Sequence, residues 1–557
     1  MKMAKIGLLI EKQQLEQEWS YGFNVFGVYL EEILSHAGMA YTRLSSAEQL
    51  NKEQYDTVIV AACRESAETM EPLLSFAQAG GTVIAYGGIG QLAEALGCYL
   101  APEASVGYAT LPSSFADSRP LRYLKAQPWT IAQDNSGITS QGSLHHLSPE
   151  QAEFAPALLQ IKAGKGWVDR WSVDIPYTIV ALQQGDRPVL KDGVPAPDGS
   201  GAVNDGILKA DDRCMMDWEL DRAATETGQP YFAHPYADLW REVILGHLLR
   251  RVTEKGLTLP FIGYWPDGTD YIAMISHDSD QNQDIYAEAT LEVLAECGIN
   301  STWCMIKPGY SAPIYDRVKE AGHELAFHYN ALTAQDGEWG AQAFAEQLEW
   351  LKEAANLKEV VSNKNHYTRF EEWGELFEFC EENQIAADQT RGPSKKGNVG
   401  FLFGTCHPYF PVAWYTDRNR LYDVLEIGFL TQDLDHSLLA DTSVIAPFLE
   451  QTMRVQGVAH FLFHQVHIQR SEQVAAALRK VVKEAKQRGF EFWTCQQIND
   501  WERARRKMKV TGLDENLKPT VEQALQGTVV WVPLAEDDPR AREAPVQFGI
   551  PCYKAVL

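Results

Sequence analysis

Two short stretches carry the residues best suited to chemistry. Tyr271-Ile-Ala-Met-Ile275 is an apolar run that ends on His277, Asp278 and Asp280, and Glu324-Leu-Ala-Phe327 ends on His328 within Gly322-His-Glu-Leu-Ala-Phe-His-Tyr-Asn330. Carboxylate oxygens and imidazole nitrogens together suit a divalent ion such as zinc. Further along the chain, other apolar runs end on Asn365 and His366, on Asp388, and on His464 and His467 in Phe461-Leu-Phe-His-Gln-Val-His467. Each residue taken singly has a plainer role. Asp278 or Asp280 could cap a helix beginning near Gln283, His328 could be a satisfied core histidine, and His366 could simply bond a loop. Four strand ends delivering Asp, His, His and His in barrel order favour a shared site.

The elements that must position these residues follow from the pattern. Residues 260 to 500 alternate strand and helix, with strand candidates at 271–275, 301–305, 324–327, 360–362, 385–387, 424–427, 459–463 and 490–493. That order fits a β/α barrel, which places its chemistry at the carboxyl ends of its strands. Residues 1–110 also alternate, with strands at Ile6–Ile10, Thr57–Ala61 and Thr82–Tyr86 and helices at Phe23–Ala37 and Glu71–Ala79. This predicts an open parallel sheet covered on both faces. Residues 111–235, rich in Pro, Gly and Asp, predict a small β-rich domain containing Tyr177–Ala181. A long helix from Asp238 to Thr253 opens the barrel unit, taken as 236–505, and 506–557 predicts a short β appendage. The expected class is α/β multidomain.

At this point two resemblances can be named. Residues 265–500 resemble the polysaccharide deacetylase family, carbohydrate esterase family 4 and its relatives. The residues that carry this are His277-Asp-Ser-Asp280, Gly322-His-Glu324 with His328, and Phe461–His467. Leu332 stands where the family has its second histidine, and His366 at the next strand end is the candidate replacement. The resemblance implies a distorted (β/α) barrel with a divalent metal, zinc first, held by Asp280, His328 and His366. It implies Asp278 as base and His464 as acid, with His467 the alternative acid. Residues 1–110 resemble class I glutamine amidotransferase-like, flavodoxin-like domains. Their nucleophile elbow is replaced by Tyr86-Gly-Gly-Ile-Gly90, which has no cysteine, so this domain is expected to be non-catalytic. Cys63 after a strand is a weaker candidate nucleophile, and Gly87, Gly88 and Gly90 could cradle a phosphate.

The implied activity is metal-dependent removal of N- or O-acetyl groups from a poly- or oligosaccharide. The chemistry needs an activated water, a polarised carbonyl and a proton for the leaving group. Asp388 and Arg391 are candidates for orienting a ligand or meeting a charged substrate group. His407, Tyr409, Phe410, Trp414 and Tyr415 form an imidazole and aromatic loop of the kind that stacks on sugar rings. Two alternatives stay open: a glycosidase or other C–N hydrolase on the same barrel, using Asp278 with Asp280 or Asp388 as a carboxylate pair, and a carbohydrate-binding protein with a degenerate site.

The bulk numbers bound the rest. A chain of 557 residues exceeds one core. A net charge of -26 argues against a nucleic-acid partner. Nine cysteines without CxxC spacing predict free thiols in a reducing cytoplasm. The run at Ile6–Ile10 has no cleavage site after it and reads as a strand rather than a signal peptide, and no segment predicts a membrane span. Homo-oligomerisation through the first domain is an expectation.

Overall fold

The computed structural model describes residues 1–115, 119–132, 137–201, 206–436 and 439–557. Near the N-terminus five parallel strands, Ile6–Ile10, Thr42–Leu44, Thr57–Ala62, Thr82–Tyr86 and Gly166–Trp171, lie in the spatial order 2-1-3-4-5, the order of a doubly wound sheet. The last of them continues into four antiparallel strands, Glu153–Ala163, Ile138–His146, Gly107–Thr110 and Leu121–Tyr123. One nine-stranded sheet therefore runs through position 110, where the sequence pattern predicts a domain boundary.

Two elements differ from the pattern. Tyr177–Ala181, expected in a β-rich domain, lies in the helix Ile175–Gln184. Asp174 caps it by accepting from the Tyr177 amide at 3.2 Å. A short apolar run cannot by itself distinguish a buried helix from a strand. The helix expected over Phe23–Ala37 is split into a 3-10 turn, Phe26–Tyr29, and an α-helix, Leu30–His36. At Gly27 a Cβ would stand 1.8 Å from the Ala61 carbonyl oxygen, so this approach to the neighbouring strand is open only to glycine.

The helix Tyr236–Thr253 is buried on nearly all sides. It ties the first sheet to the rest through polar contacts as well as packing. Its Arg251 and His247 both meet the buried Asp169 carboxylate, His247 Nε2 at 2.9 Å, and Trp240 Nε1 donates to the Arg122 carbonyl at 2.7 Å.

The second large sheet is wholly parallel. Its main run is β1 (Tyr271–Asp278), β2 (Thr302–Met305), β3 (Glu324–Tyr329), β4 (Ser362–Asn365), β5 (Ala387–Asp388), β6 (Leu425–Glu426), β7 (Thr431–Gln432) and β8 (Val458–His464), in the order β6-β5-β4-β3-β2-β1-β8-β7, and a ninth strand, Phe490–Phe492, pairs with the start of β1. This makes a parallel half-barrel. Strands β6 and β7, the two edges, are successive parts of one extended segment. Ile427 N donates to the Asp388 carbonyl on one side at 2.8 Å, and Leu430 N to the His460 carbonyl on the other at 2.9 Å. The sheet is thus drawn round so that the carboxyl ends of β1, β3, β4 and β8 face one another. The C-terminal strands Val529–Pro533 and Ile550–Val556 pair with each other and, through Phe261–Ile262, with the chain leading into β1. Among the described residues no helix is long and apolar enough to cross a membrane.

A buried ionic cluster joins the first helices to the last. Glu502 accepts from Arg505 and Arg506, and Arg506 also pairs with Glu32. Burial opposes ionisation of Glu502, but Arg505 and then Arg506 outweigh it and hold the carboxyl at about 2. This is below the value of about 4.3 in an unfolded chain. Its stabilisation is therefore complete above about pH 4.3 and is lost as pH falls towards 2. Glu502→Gln is expected to cost about 3–5 kcal/mol at neutral pH, because it leaves buried guanidinium groups short of charge. Denaturant titrations at pH 7 and pH 3 check this: the variant's deficit should shrink at the lower pH.

Candidate metal centre

Strand β1 ends on Asp278, and Asp280 follows it in the turn two residues on. Neither caps the next helix, Asp284–Cys297, whose N-cap is Gln283. Asp280 Oδ1 instead lies 3.6 Å from His328 Nε2 at the end of β3 and 3.3 Å from His366 Nδ1 just beyond β4. The two nitrogens are 3.2 Å apart. Three donors round one tetrahedral ion with bonds of about 2.0–2.1 Å stand roughly 3.3–3.4 Å from one another, so these atoms fit zinc.

Hydrogen bonds on the far side of each ring sharpen the case. His328 Nδ1 donates to the Lys364 carbonyl at 2.8 Å, and His366 Nε2 to Gln335 Oε1 at 2.9 Å. Both inward nitrogens are thereby left as bare lone pairs facing each other and a carboxylate oxygen that has no hydrogen-bond partner. A cation reconciles that arrangement. Leu332, where the family resemblance places a histidine, is buried, and the third donor comes from the next strand end instead.

Asp278 is held differently. Its Oδ1 is 3.3 Å from Lys364 Nζ, and its Oδ2 is 3.8 Å from His328 Nε2 and 3.9 Å from His464 Nε2. Burial would raise its carboxyl, but Lys364, with help from His328 and His464, holds it below the usual range. Burial would raise Asp280 as well, but the neighbouring His328, His366 and His464 hold it well below its ordinary value. Lys364 therefore serves two masters: its carbonyl orients His328 and its ammonium charges Asp278. The ammonium also donates to Ser276 Oγ at 2.5 Å, and Ser276 in turn bonds His460 Nε2 at 2.7 Å.

His464 stands directly across from Asp278 in the β1–β8 register. Its Nδ1 is bonded closely to Asp433, whose other oxygen accepts from the His464 amide at 2.7 Å. Burial alone would push the ring towards neutrality, but Asp433, then Asp280 and Asp278, reverse this and keep it protonated up to about 10. His467 is more exposed, stacks on His436, and is shifted below its ordinary value by burial. A second grouping, Asp433, His464 and His467, also brings possible donors together. There Asp433 is already engaged by the ring and the amide of His464, so the Asp280 grouping is the better metal site.

A cavity of about 360 Å³ opens over these groups, lined among others by Asp278, Asp280, Tyr367, Asp433 and His464. The residues expected to bind substrate do not line it. Asp388 is buried and bonded to Asn363 and Thr390. Arg391 is packed among Phe370, Phe377 and Phe403. His407 lies between His36 and Tyr264, with Nε2 donating to the Val455 carbonyl. Tyr409 is buried, its hydroxyl 3.4 Å from the Gln183 carbonyl, and Trp414 packs on Trp373. In their place Asp433 and Tyr367 line the cavity, with Lys364 buried behind Asp278. Asp433 follows Thr431-Gln432, a strand of only two paired residues.

In the first sheet the glycine turn is filled by the protein itself. Glu65 accepts from the Gly90 and Gln91 amides, both at 2.8 Å, and Gln127 Oε1 from the Gly88 amide at 2.9 Å. The phosphate cradle is therefore taken by an internal carboxylate. Cys63 is shifted upward by burial and by Glu11 and Glu65, which removes the thiolate a nucleophile needs.

No protein-family model matches the chain, and no curated protein matches it. Among solved structures it is similar to a polysaccharide deacetylase, so described, of Mycobacterium smegmatis, with 16% identity, 45% of this chain and 96% of that one covered and a TM-score of 0.32. It is similar to a polysaccharide deacetylase, so described, of Bordetella bronchiseptica, with 14% identity, 39% and 90% covered and a TM-score of 0.26. It is also similar to a β-galactosidase of Rahnella sp. R3, with 16% identity, 31% covered and a TM-score of 0.24. The chain spans 29% of that β-galactosidase.

Proposed function

We propose that this protein is a divalent-metal hydrolase that removes acyl groups from a carbohydrate, with a barrel of the polysaccharide deacetylase type. The observation that carries this reading is the convergence of two imidazole lone pairs, each fixed by an outer hydrogen bond, on the unpartnered Asp280 oxygen. Zinc bound there would polarise an acyl carbonyl and lower the pKa of water.

The chain's own residues supply the proton traffic. Asp278, kept ionised by Lys364, accepts a proton from the attacking water. His464, kept protonated by Asp433, donates one to the departing amine or alkoxide. His464 Nε2 stands 3.9 Å from both the Asp278 and the Asp280 carboxylate. The carbohydrate substrate is what the resemblance of the His277–Asp280 and Phe461–His467 motifs implies.

A glycosidase needs one carboxyl protonated at neutral pH to act as acid. Asp278 and Asp280 are both shifted the other way, and Asp388 lies outside the cavity, which favours acyl transfer. Acetate release from acetylated sugars is expected to vanish after chelation and to return with zinc. Hydrolysis by the metal-free protein at the same rate would overturn the proposal.

A further inference from the structure

The first sheet holds a buried cation that no carboxylate touches. Arg170, near the end of Gly166–Trp171, is 1% exposed. Its hydrogen bonds go to carbonyl oxygens alone: Nε to Gly88 at 3.4 Å, and Nη1 to Trp171 at 3.1 Å and, more closely, to Gln127. The guanidinium also lies over Trp129, 4.6 Å from the ring centroid. The buried Arg122, Arg251 and Arg505 each pair with a carboxylate, whereas among the described residues Arg170 pairs with none. Burial pulls it below its ordinary value, and Glu65, then Asp174, offset only part of that. A buried charge left without a partner is costly.

A cavity of about 470 Å³ opens against this side chain, within the roughly 300–1,000 Å³ of small-molecule sites. It lies at the carboxyl ends of Thr82–Tyr86 and Gly166–Trp171, the side on which doubly wound sheets take their ligands. Leu100, Ala101 and Pro128 give it an apolar wall, and Leu100 is 67% exposed. Its two carboxylates are already engaged, Glu65 on the Gly90 and Gln91 amides and Glu103 with Gln127 Nε2 at 3.0 Å. An adjoining cavity of about 270 Å³ shares Glu65, Gly88 and Gln127 with it. That one reaches Gln14 and Cys63, beyond the first and third strands, where the strand order reverses.

The turn between the two cavities is strained. Gly87, Gly88 and Ile89 follow one another at φ of 72°, 58° and 49°, and Ile89 is 1% exposed. A β-branched residue is a genuine outlier in the left-handed region, and such strain gathers at ligand sites. The Gly88 carbonyl accepts from Arg170, so the strained turn and the guanidinium are held as one unit.

We propose that the cavity over Arg170 is a second ligand site, taking a small monocarboxylate whose charge meets the guanidinium and whose apolar body lies against Leu100 and Pro128. Nη2, the guanidinium nitrogen with no hydrogen bond among the described residues, is the donor left for it. A charge-assisted bond of this kind is about twice as strong as a neutral one. A single negative charge fits better than the roughly −1.5 to −2 of a phosphate group, because Glu65 and Glu103 line the same cavity and one cation has to offset them. The apolar wall calls for a body larger than that of acetate. None of these residues lines the cavity of the metal centre, so the site stands apart from the acyl-hydrolase reading.

Calorimetric titration of the full chain with acetate, butanoate, benzoate and inorganic phosphate tests this. Butanoate and benzoate are expected to bind saturably at one site and more tightly than acetate, and phosphate not to compete. Arg170→Met should weaken them at least about tenfold, the worth of one hydrogen bond to a charged group. Leu100→Glu, a change at an exposed side chain, should weaken them as much by setting a third carboxylate against the ligand, and it decides the matter if Arg170→Met does not fold. Asp280→Asn should bind as the native protein does, which separates this site from the metal centre. The proposal is overturned by no saturable binding of butanoate or benzoate, or by binding that Leu100→Glu or a folded Arg170→Met leaves unchanged. It is equally overturned by binding lost in Asp280→Asn, or by acetate or phosphate bound as tightly as butanoate.

Discussion

Asp280→Asn is expected to bind zinc at least about 100-fold more weakly than the native protein. The carboxylate is the one anionic donor of the three, and its Oδ1 is the atom that both His328 Nε2 and His366 Nδ1 face. An amide in its place offers a neutral oxygen or, flipped, an N–H. The two histidines would remain oriented by Lys364 and Gln335, so the fold is expected to hold while the ion is lost. Metal content after dialysis, together with competition against a chromophoric chelator, checks this. Stoichiometric zinc in Asp280→Asn would remove Asp280 from the ligand set.

Asp278→Asn should do the reverse. It leaves the three donors intact, so zinc content should be unchanged, while kcat falls by about 10²–10⁴, the contribution of a general base. The pair of variants separates two carboxylates that the sequence places side by side. The structural ground is that Asp278 Oδ1 faces an ammonium, Lys364, whereas Asp280 Oδ1 faces two imidazoles. If Asp278→Asn lost its metal and Asp280→Asn kept it, the roles assigned here would have to be exchanged.

How far the site could be read from sequence depends on how each residue's strand is written. Tyr271–Ile275 and Val458–Phe463 are unbroken apolar runs, as buried parallel strands require, so the residues that end them stand out. Strand β4 is Ser362-Asn-Lys-Asn365, four polar residues buried almost completely. No propensity argument makes that a central strand, and Lys364 was invisible for this reason. The segment 425–432 serves both edges of the sheet with only two residues at each end in regular pairing, which hid Asp433. The aromatic loop 407–415 failed in the opposite way. Its residue types suit a sugar platform, but sequence does not say which side of a loop faces the cavity, and these side chains pack against Tyr264, Gln183 and Trp373. The strand and helix alternation of 1–110 predicted three of the five parallel strands, but not Thr42–Leu44, Gly166–Trp171 or the continuation of their sheet into 107–163.

The donor set has a consequence for folding. Asp280, His328 and His366 come from three separate strand ends, so an ion bound by all three acts as a removable cross-link between distant parts of the chain. Its binding free energy becomes folding free energy, because the unfolded chain has no such preformed site. Free metal at 1,000 times its dissociation constant would add about 4.1 kcal/mol to the stability. The half-barrel would then have no single melting temperature of its own, only one for each concentration of free metal around it.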